Sequence, residues 1–201
     1  MTEPLRTTLA TLAPARRDRA AWNQALIGAL AQARTTSLIL DLTGVARIDG
    51  GLLASLGPVE QDVLRRGGSL RIDAPDVELR QLIRLANLER LLLDPIGVCD
   101  LSCQVLYGEN DIAITIHRSA GQNPRMTTPL SYSWLGRITT AKVTVDLSEV
   151  AHINSVMVAW LLQLGQAAKP ATFELRNVSR QVVIQLNQLR LNHLLTVHEI
   201  G

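Results

Sequence analysis

The feature that most constrains this chain is that it carries the same pattern twice. Residues 38–56 (LILDLTGVARIDGGLLASL), moved along by 105 positions, fall on residues 143–161 (VTVDLSEVAHINSVMVAWL). Seven of the 19 positions are identical: Asp41/Asp146, Leu42/Leu147, Val45/Val150, Ala46/Ala151, Ile48/Ile153, Ala54/Ala159 and Leu56/Leu161. Thr43 faces Ser148, Asp49 faces Asn154, and Leu53 faces Val158. A second echo follows at an offset of 103, where residues 69–72 (SLRI) meet 172–175 (TFEL), and Leu88, Leu91 and Leu92 meet Leu191, Leu194 and Leu195. Two copies are too few to stack as a solenoid, so the repeat predicts two related globular domains, 1–100 and 101–201.

Composition narrows what such a pair can do. With 201 residues, 47% of them hydrophobic, the chain can bury one large core or two small ones. Only six residues are aromatic, too few for the stacking platforms on which single-stranded nucleic acids are held. Residues 1–100 carry 12 basic and 12 acidic side chains and residues 101–201 carry 8 and 6, so neither half has the clustered basic footprint of a DNA-binding domain. No apolar run approaches the length of a membrane span. The opening residues 1–4 (MTEP) lack the basic and apolar segments of a secretory leader, which predicts a cytoplasmic location. Cys99 and Cys103 match neither a redox C-x-x-C pair nor half of a zinc set and read as reduced thiols.

Each copy reads as strand, helix, strand, helix. Residues 20–34 place Trp22, Leu26, Ile27, Leu30 and Ala33 on one helical stripe. Residues 37–42 and 142–147 are short apolar, β-branched-rich strands. Helices over 50–66 and 155–168 follow, stopped by Gly67-Gly68 and Lys169-Pro170. Short strands over 70–73 and 172–175 lead to Asp76 and Ser179, which are expected to cap a final amphipathic helix. This alternation predicts an α/β fold with largely parallel sheets. The second copy opens with a hairpin over 104–107 and 111–117, and the first copy is expected to be short of one of these strands. Pro58 should kink its helix or delay its start. Residues 118–131 (RSAGQNPRMTTPLS) have turn-forming composition without periodicity and read as a mobile loop.

A strand ending in Asp-Leu-Thr/Ser, a Val-Ala-x-Ile-Asp/Asn-Gly/Ser turn opening a helix, a second short strand, and a helix ending in Leu-x-x-Leu-Leu together resemble the STAS family, which includes the bacterial anti-sigma factor antagonists. The resemblance covers residues 36–93 and 141–196. It implies two STAS-like domains, each a small mixed sheet with helices packed on it. In members that switch by phosphorylation, an Asp or Asn precedes a Ser at the helix start, and a partner kinase phosphorylates that Ser. The matching positions are Asn154 and Ser155 in the second copy and Asp49 and Gly50, followed by Gly51, in the first. A phosphate on a first-turn serine would meet the positive end of the helix dipole while repelling an acidic or apolar partner. Gly50 has no hydroxyl and cannot be switched this way. Val156 and Met157 depart from the small residues common after the Ser, and they thicken the surface a kinase must approach. The residue types alone also allow Ser155 and Asn154 to be a helix cap and a turn residue, and Asp49 to be a cap instead of a partner contact.

No other constellation points to chemistry. His117, His152, His193 and His198 form no ligand set with nearby acids, so no metal or cofactor is expected. Neither a nucleophile elbow nor a phosphate loop occurs, which predicts a protein that is not an enzyme. Asp41 and Asp146, at strand ends, are expected to bond backbone in the following turn. Trp134 and Trp160 read as core or inter-domain packing, with ligand stacking as the other reading. The expectation is a regulatory protein-binding module resembling an anti-sigma factor antagonist. It would act by partner switching through Asp49, Gly50, Gly51, Asn154 and Ser155, with Ser155 as the phosphorylation site and the two copies packed as a pseudo-dimer. Its partner would be an anti-sigma factor or serine kinase-like protein. The alternative is a non-switching STAS accessory subunit of a lipid or ABC-type transport complex, contacting the transporter ATPase subunit. Neither reading involves nucleic acid or membrane insertion.

Overall fold

The computed structural model describes residues 4–8, 25, 28, 37–108, 110–191 and 195–199. Contacts divide the chain into two compact units, Met1–Val98 and Cys99–Gly201. The helix expected over 20–34 lies outside the described residues, except that Ala25 and Gly28 are helical.

In the first unit, strands β1 (Leu5–Thr8), β2 (Ser37–Asp41) and β3 (Ser69–Asp73) form a parallel sheet in the order β1-β2-β3. Side chains alternate across a strand, so Leu38, Leu40, Leu70 and Ile72 point to one face and are buried. Helix α1 (Gly50–Arg65) buries Leu52, Leu53, Leu56, Val59 and Val63, and α2 (Val77–Leu85) buries Leu79, Leu82, Ile83 and Leu85. Both are amphipathic stripes of the 3.6 period. Pro58 lies inside α1, which nevertheless begins at Gly50. The carbonyl deprived of a donor is that of Ala54, an exposed position where water can serve it, so the expected delay of the helix start does not occur.

The second unit has the order β4 (Cys103–Tyr107), β5 (Asp111–Ile116), a helical turn α3 (Leu130–Ser133), β6 (Lys142–Asp146), α4 (Ser155–Ala167), β7 (Thr172–Val178), α5 (Arg180–Gln188) and β8 (Thr196–Glu199). Its five-stranded sheet runs β8-β7-β6-β5-β4. The β4–β5 hairpin is antiparallel and every other pairing is parallel. The fold class is therefore α/β with largely parallel sheets, as the alternation of elements requires.

The two units correspond in register and in their helix ends as well as in order. Leu40 pairs with Ile72 in the first sheet and Val145 with Leu175 in the second, positions related by 105 and 103. Helices α1 and α4 begin 105 residues apart, and α2 and α5 begin 103 apart. After α2 the chain turns through Asn87 (φ 58) and after α5 through Arg190 (φ 57), again 103 apart. In each case the next amide closes the helix end, Leu88 N–H on Ile83 O at 3.1 Å and Leu191 N–H on Leu186 O at 2.9 Å. A left-handed residue followed by this six-to-one bond is the usual way a helix satisfies its last carbonyls.

One expectation fails outright. Residues 118–131 are not a mobile loop but a run of short helical turns, Ala120–Gln122, Pro124–Thr127 and α3, continued by Trp134–Arg137. Asn123 caps the second turn by accepting from Arg125 N–H at 3.0 Å, and Pro124 stands at its first position. Ala120, Met126, Ser131 and Trp134 are buried, and the segment packs along α4. Trp134 and Trp160 are core residues whose indole N–H groups both donate to the Ser131 carbonyl, at 3.0 and 3.2 Å.

Candidate functional site

Each unit turns from its central strand into its first long helix at a corner built by the same bonds. Asp41 and Asp146 end the strands, and each accepts from the backbone N–H two residues on, Thr43 and Ser148, both at 2.8 Å. Leu42 N–H then reaches across to Asp73 O (2.8 Å) and Leu147 N–H to Arg176 O (3.0 Å). These bonds set the pKa values of the two carboxyls. Thr43, through its hydroxyl and N–H, and then Arg6 hold Asp41 below its ordinary value. At Asp146 burial pushes the value up, but Ser148 and Asn177 outweigh it and the net shift is downward. Arg6 also bridges Asp41 (2.7 Å) to Asp73 (2.9 Å).

The corners end at Asp49 and Asn154, the residues immediately before α1 and α4. Both have extended backbone and both cap their helix. Asp49 accepts from Gly51 N–H at 2.8 Å, and Asn154 accepts from Met157 N–H at 3.0 Å. A side-chain oxygen at this place satisfies one of the donors that a helix start leaves unpaired.

Beyond the caps the corners diverge. Gly50, the first residue of α1, is buried and Gly51 is half-buried, whereas Ser155, the first residue of α4, is exposed and makes no hydrogen bond through its hydroxyl to the described residues. Asn154 is held from a second side, its amide donating to Gly121 O at 2.8 Å. A Cβ on Gly121 would lie 3.1 Å from Met157 Sδ and 3.2 Å from Asn154 Nδ2, so only glycine permits this approach without displacement. The peptide of Ile153 is engaged by Gln185 of α5, which accepts from Ile153 N–H at 3.1 Å and donates to Ile153 O at 3.3 Å.

Beside Ser155 lies a groove of about 440 Å³ between α4 and α5, lined by Ile153, Ser155, Val158, Leu162, Gln185 and Leu189 among others, none of them charged. Helix α4 itself (SVMVAWLLQLGQA) contains no charged residue, whereas α1 carries Glu60, Asp62 and Arg65. Leu189 is 54% exposed at the groove and Ile184 of α5 is 48% exposed. At the corresponding places of the first unit Gly50, Leu53, Leu82 and Leu85 are buried, Gly57 and Ala86 are half-buried and Ala54 is exposed. The structure thus brings Asn154 and Ser155 together at an open, uncharged apolar surface, and Asp49, Gly50 and Gly51 together at a helix start where Gly50 is buried and its two neighbours are half-buried. Sequence reasoning missed Gly121, Gln185 and the groove. Gly121 sits in the segment read as loop, and Gln185 acts 32 residues away from its target.

Of the histidines set aside on sequence grounds, His152 lies in the second corner itself, two residues before Asn154. His117 lies 3.5 Å from Glu149, and His198 lies 3.7 Å from Glu174; His193 is outside the described residues. Among the described residues there is no grouping of His, Cys, Asp and Glu able to hold a metal. Cys99 and Cys103 are not joined in a disulfide. No helix among the described residues is long and apolar enough to cross a membrane.

The first of the two corners lies in a region that matches a known family. Residues 15–94 match the family described as Mlab, STAS domain. The matched STAS region lies within the first unit and contains the Asp49–Gly51 corner. No curated protein matches the chain.

Proposed function

We propose that this chain is a tandem STAS module that captures a protein partner at the Asn154–Ser155 corner of its second unit, and that phosphorylation of Ser155 switches this capture off. The observation that carries the reading is the exposed Ser155 hydroxyl on the rim of an uncharged groove. An apolar groove open to water favours a partner that covers it, at roughly 25 cal/mol for each Å² of apolar surface removed from water. A phosphate on Ser155 adds close to two negative charges among lining residues that include no cation, so a covered groove would have to desolvate that charge with no side-chain cation to pair it. The helix remains intact, because the new charge lies at the positive end of its dipole. Partner chemistry of the anti-sigma factor or serine kinase type fits such a switch.

A second reading is supported by the first unit. Its corner has Gly50 where the second has Ser155, so Asp49, Gly50 and Gly51 suit a constitutive, non-switching contact such as that of an accessory subunit with the ATPase of a lipid or ABC-type transport complex. Incubating the chain with ATP and extract of its native host, followed by mass spectrometry and by pull-down with Ser155→Asp and Ser155→Ala, tests the switch. Phosphate on Ser155 and loss of the partner from Ser155→Asp alone are expected. An unmodified Ser155 together with partner capture unaffected by Ser155→Asp would remove the switch, and recovery of a transporter ATPase would favour the second reading.

A further inference from the structure

We propose that Gln185 is the positioning residue of the Asn154–Ser155 corner, an inference that rests on the reading of that corner as the docking site. The side-chain amide of Gln185 pairs with one residue as a neighbouring strand would, taking the N–H of Ile153 at 3.1 Å and giving to its carbonyl at 3.3 Å. Both ends of the amide are used, so its orientation is fixed, and the peptide just before the Asn154 cap is fixed with it. Glutamine is the side chain that can do this from α5, because glutamate lacks the donor and leucine lacks both groups. The first unit has Leu82 at the corresponding place, fully buried. There the cap bond runs to the second helical residue, Gly51, whereas in the second unit it runs to the third, Met157.

The corner is therefore held from two separate elements. Gly121 O takes the Asn154 amide at 2.8 Å from one side, and Gln185 takes the Ile153 peptide from α5. Gln185 also lines the groove, so one side chain fixes both the direction in which Ser155 leaves the helix start and the distance between that start and α5. Neither a kinase nor a partner would need to touch Gln185 for its loss to be felt, since a corner released by a few tenths of an ångström no longer presents the hydroxyl and the groove in one arrangement.

The test compares Gln185→Leu, which installs the residue of the first unit, with Gln185→Glu, which keeps the acceptor. Backbone amide exchange in the purified chain should show Ile153 N–H exchanging about tenfold faster or more in Gln185→Leu, while Val183 and Leu189 of the same region change by no more than about twofold. In Gln185→Glu at neutral pH the Ile153 amide should stay slow. Phosphate incorporation at Ser155 from host extract and ATP, followed by mass spectrometry, should fall in Gln185→Leu. Unchanged exchange at Ile153, an equal rise along all of α5, or undiminished phosphorylation despite a loosened Ile153 would each overturn the positioning role. Absence of phosphate on the unaltered chain would instead count against the switch, and the exchange data would still decide the role of Gln185.

Discussion

The two strand-to-helix corners share a backbone and differ in their side chains, and that division separates what the fold needs from what a docking surface needs. Asp41 and Asp146, the bonds from Leu42 and Leu147, and the caps Asp49 and Asn154 recur because a parallel strand feeding a helix leaves the same polar groups to satisfy. Gly50 against Ser155, Leu82 against Gln185 and Glu60 against Gly165 do not recur, because nothing in the shared frame requires them. More of this face is buried at the first corner, with Gly50, Leu53, Leu82 and Leu85, than at the second, where Ser155, Gln188 and Leu189 are exposed beside a charge-free helix.

The largest break between the units should come at one pair of helix positions. Trp160 fills the core where the first unit has Ser55, whose hydroxyl donates to Leu52 O at 2.7 Å. Trp160→Ala should cost about 3–5 kcal/mol and Ser55→Ala about 1 kcal/mol in chemical denaturation. Comparable losses would mean that the two helices carry their cores alike. Next, Glu60 is 7% exposed and gripped by both Nε and Nη2 of Arg90. Arg90→Ala, which strands this carboxylate, should destabilise the chain by about 1–3 kcal/mol, Arg90 being half-exposed and the loss correspondingly partial. A chain indifferent to that change would show that water replaces the guanidinium.

The caps offer a finer comparison. Asp49→Ala and Asn154→Ala should each cost about 1 kcal/mol for the lost cap, with Asn154→Ala the larger because it also empties the bond to Gly121. The reverse order would contradict the two-sided hold on the second corner. The smallest effect concerns pH. Asp41 and Asp146 both titrate below their ordinary value in the folded chain, so their contribution is complete above the unfolded value of about 4 and is lost as pH falls through the folded values. Asp41→Asn and Asp146→Asn should therefore each flatten the acid side of a stability-against-pH curve, and leave its slope above about pH 6 unchanged. A steeper acid limb in either variant would reverse the assigned sign.

Much of this was legible in the residues. The 105-residue offset placed Asp49 with Asn154 and Gly50 with Ser155, and the structure sets each pair at the same helix start. The caps Asp76 and Ser179 were readable because a short polar side chain before an amphipathic stripe has a local reason to be there. Residues 118–131 were not, since short helical turns of three or four residues never complete a 3.6-residue stripe, although Asn123-Pro124 was a signal of a capped turn. Strand β8 also escaped, four residues with a single half-buried apolar position. Gln185 could not be read at all, because its meaning lies in a bond to a peptide 32 residues earlier. The groove is likewise a product of how α4 and α5 pack, and no local pattern announces it.

The central claim is that the corner carrying Ser155 is the one that governs partner capture. It is tested most directly by placing one negative charge at each corner in turn, Ser155→Asp and Gly50→Asp, confirming that both chains remain folded by circular dichroism, and measuring capture of the partner recovered from the native host. The account predicts at least about a tenfold loss of affinity for Ser155→Asp and capture within about twofold of the unaltered chain for Gly50→Asp. Undiminished capture by Ser155→Asp, or loss only with Gly50→Asp, would contradict it.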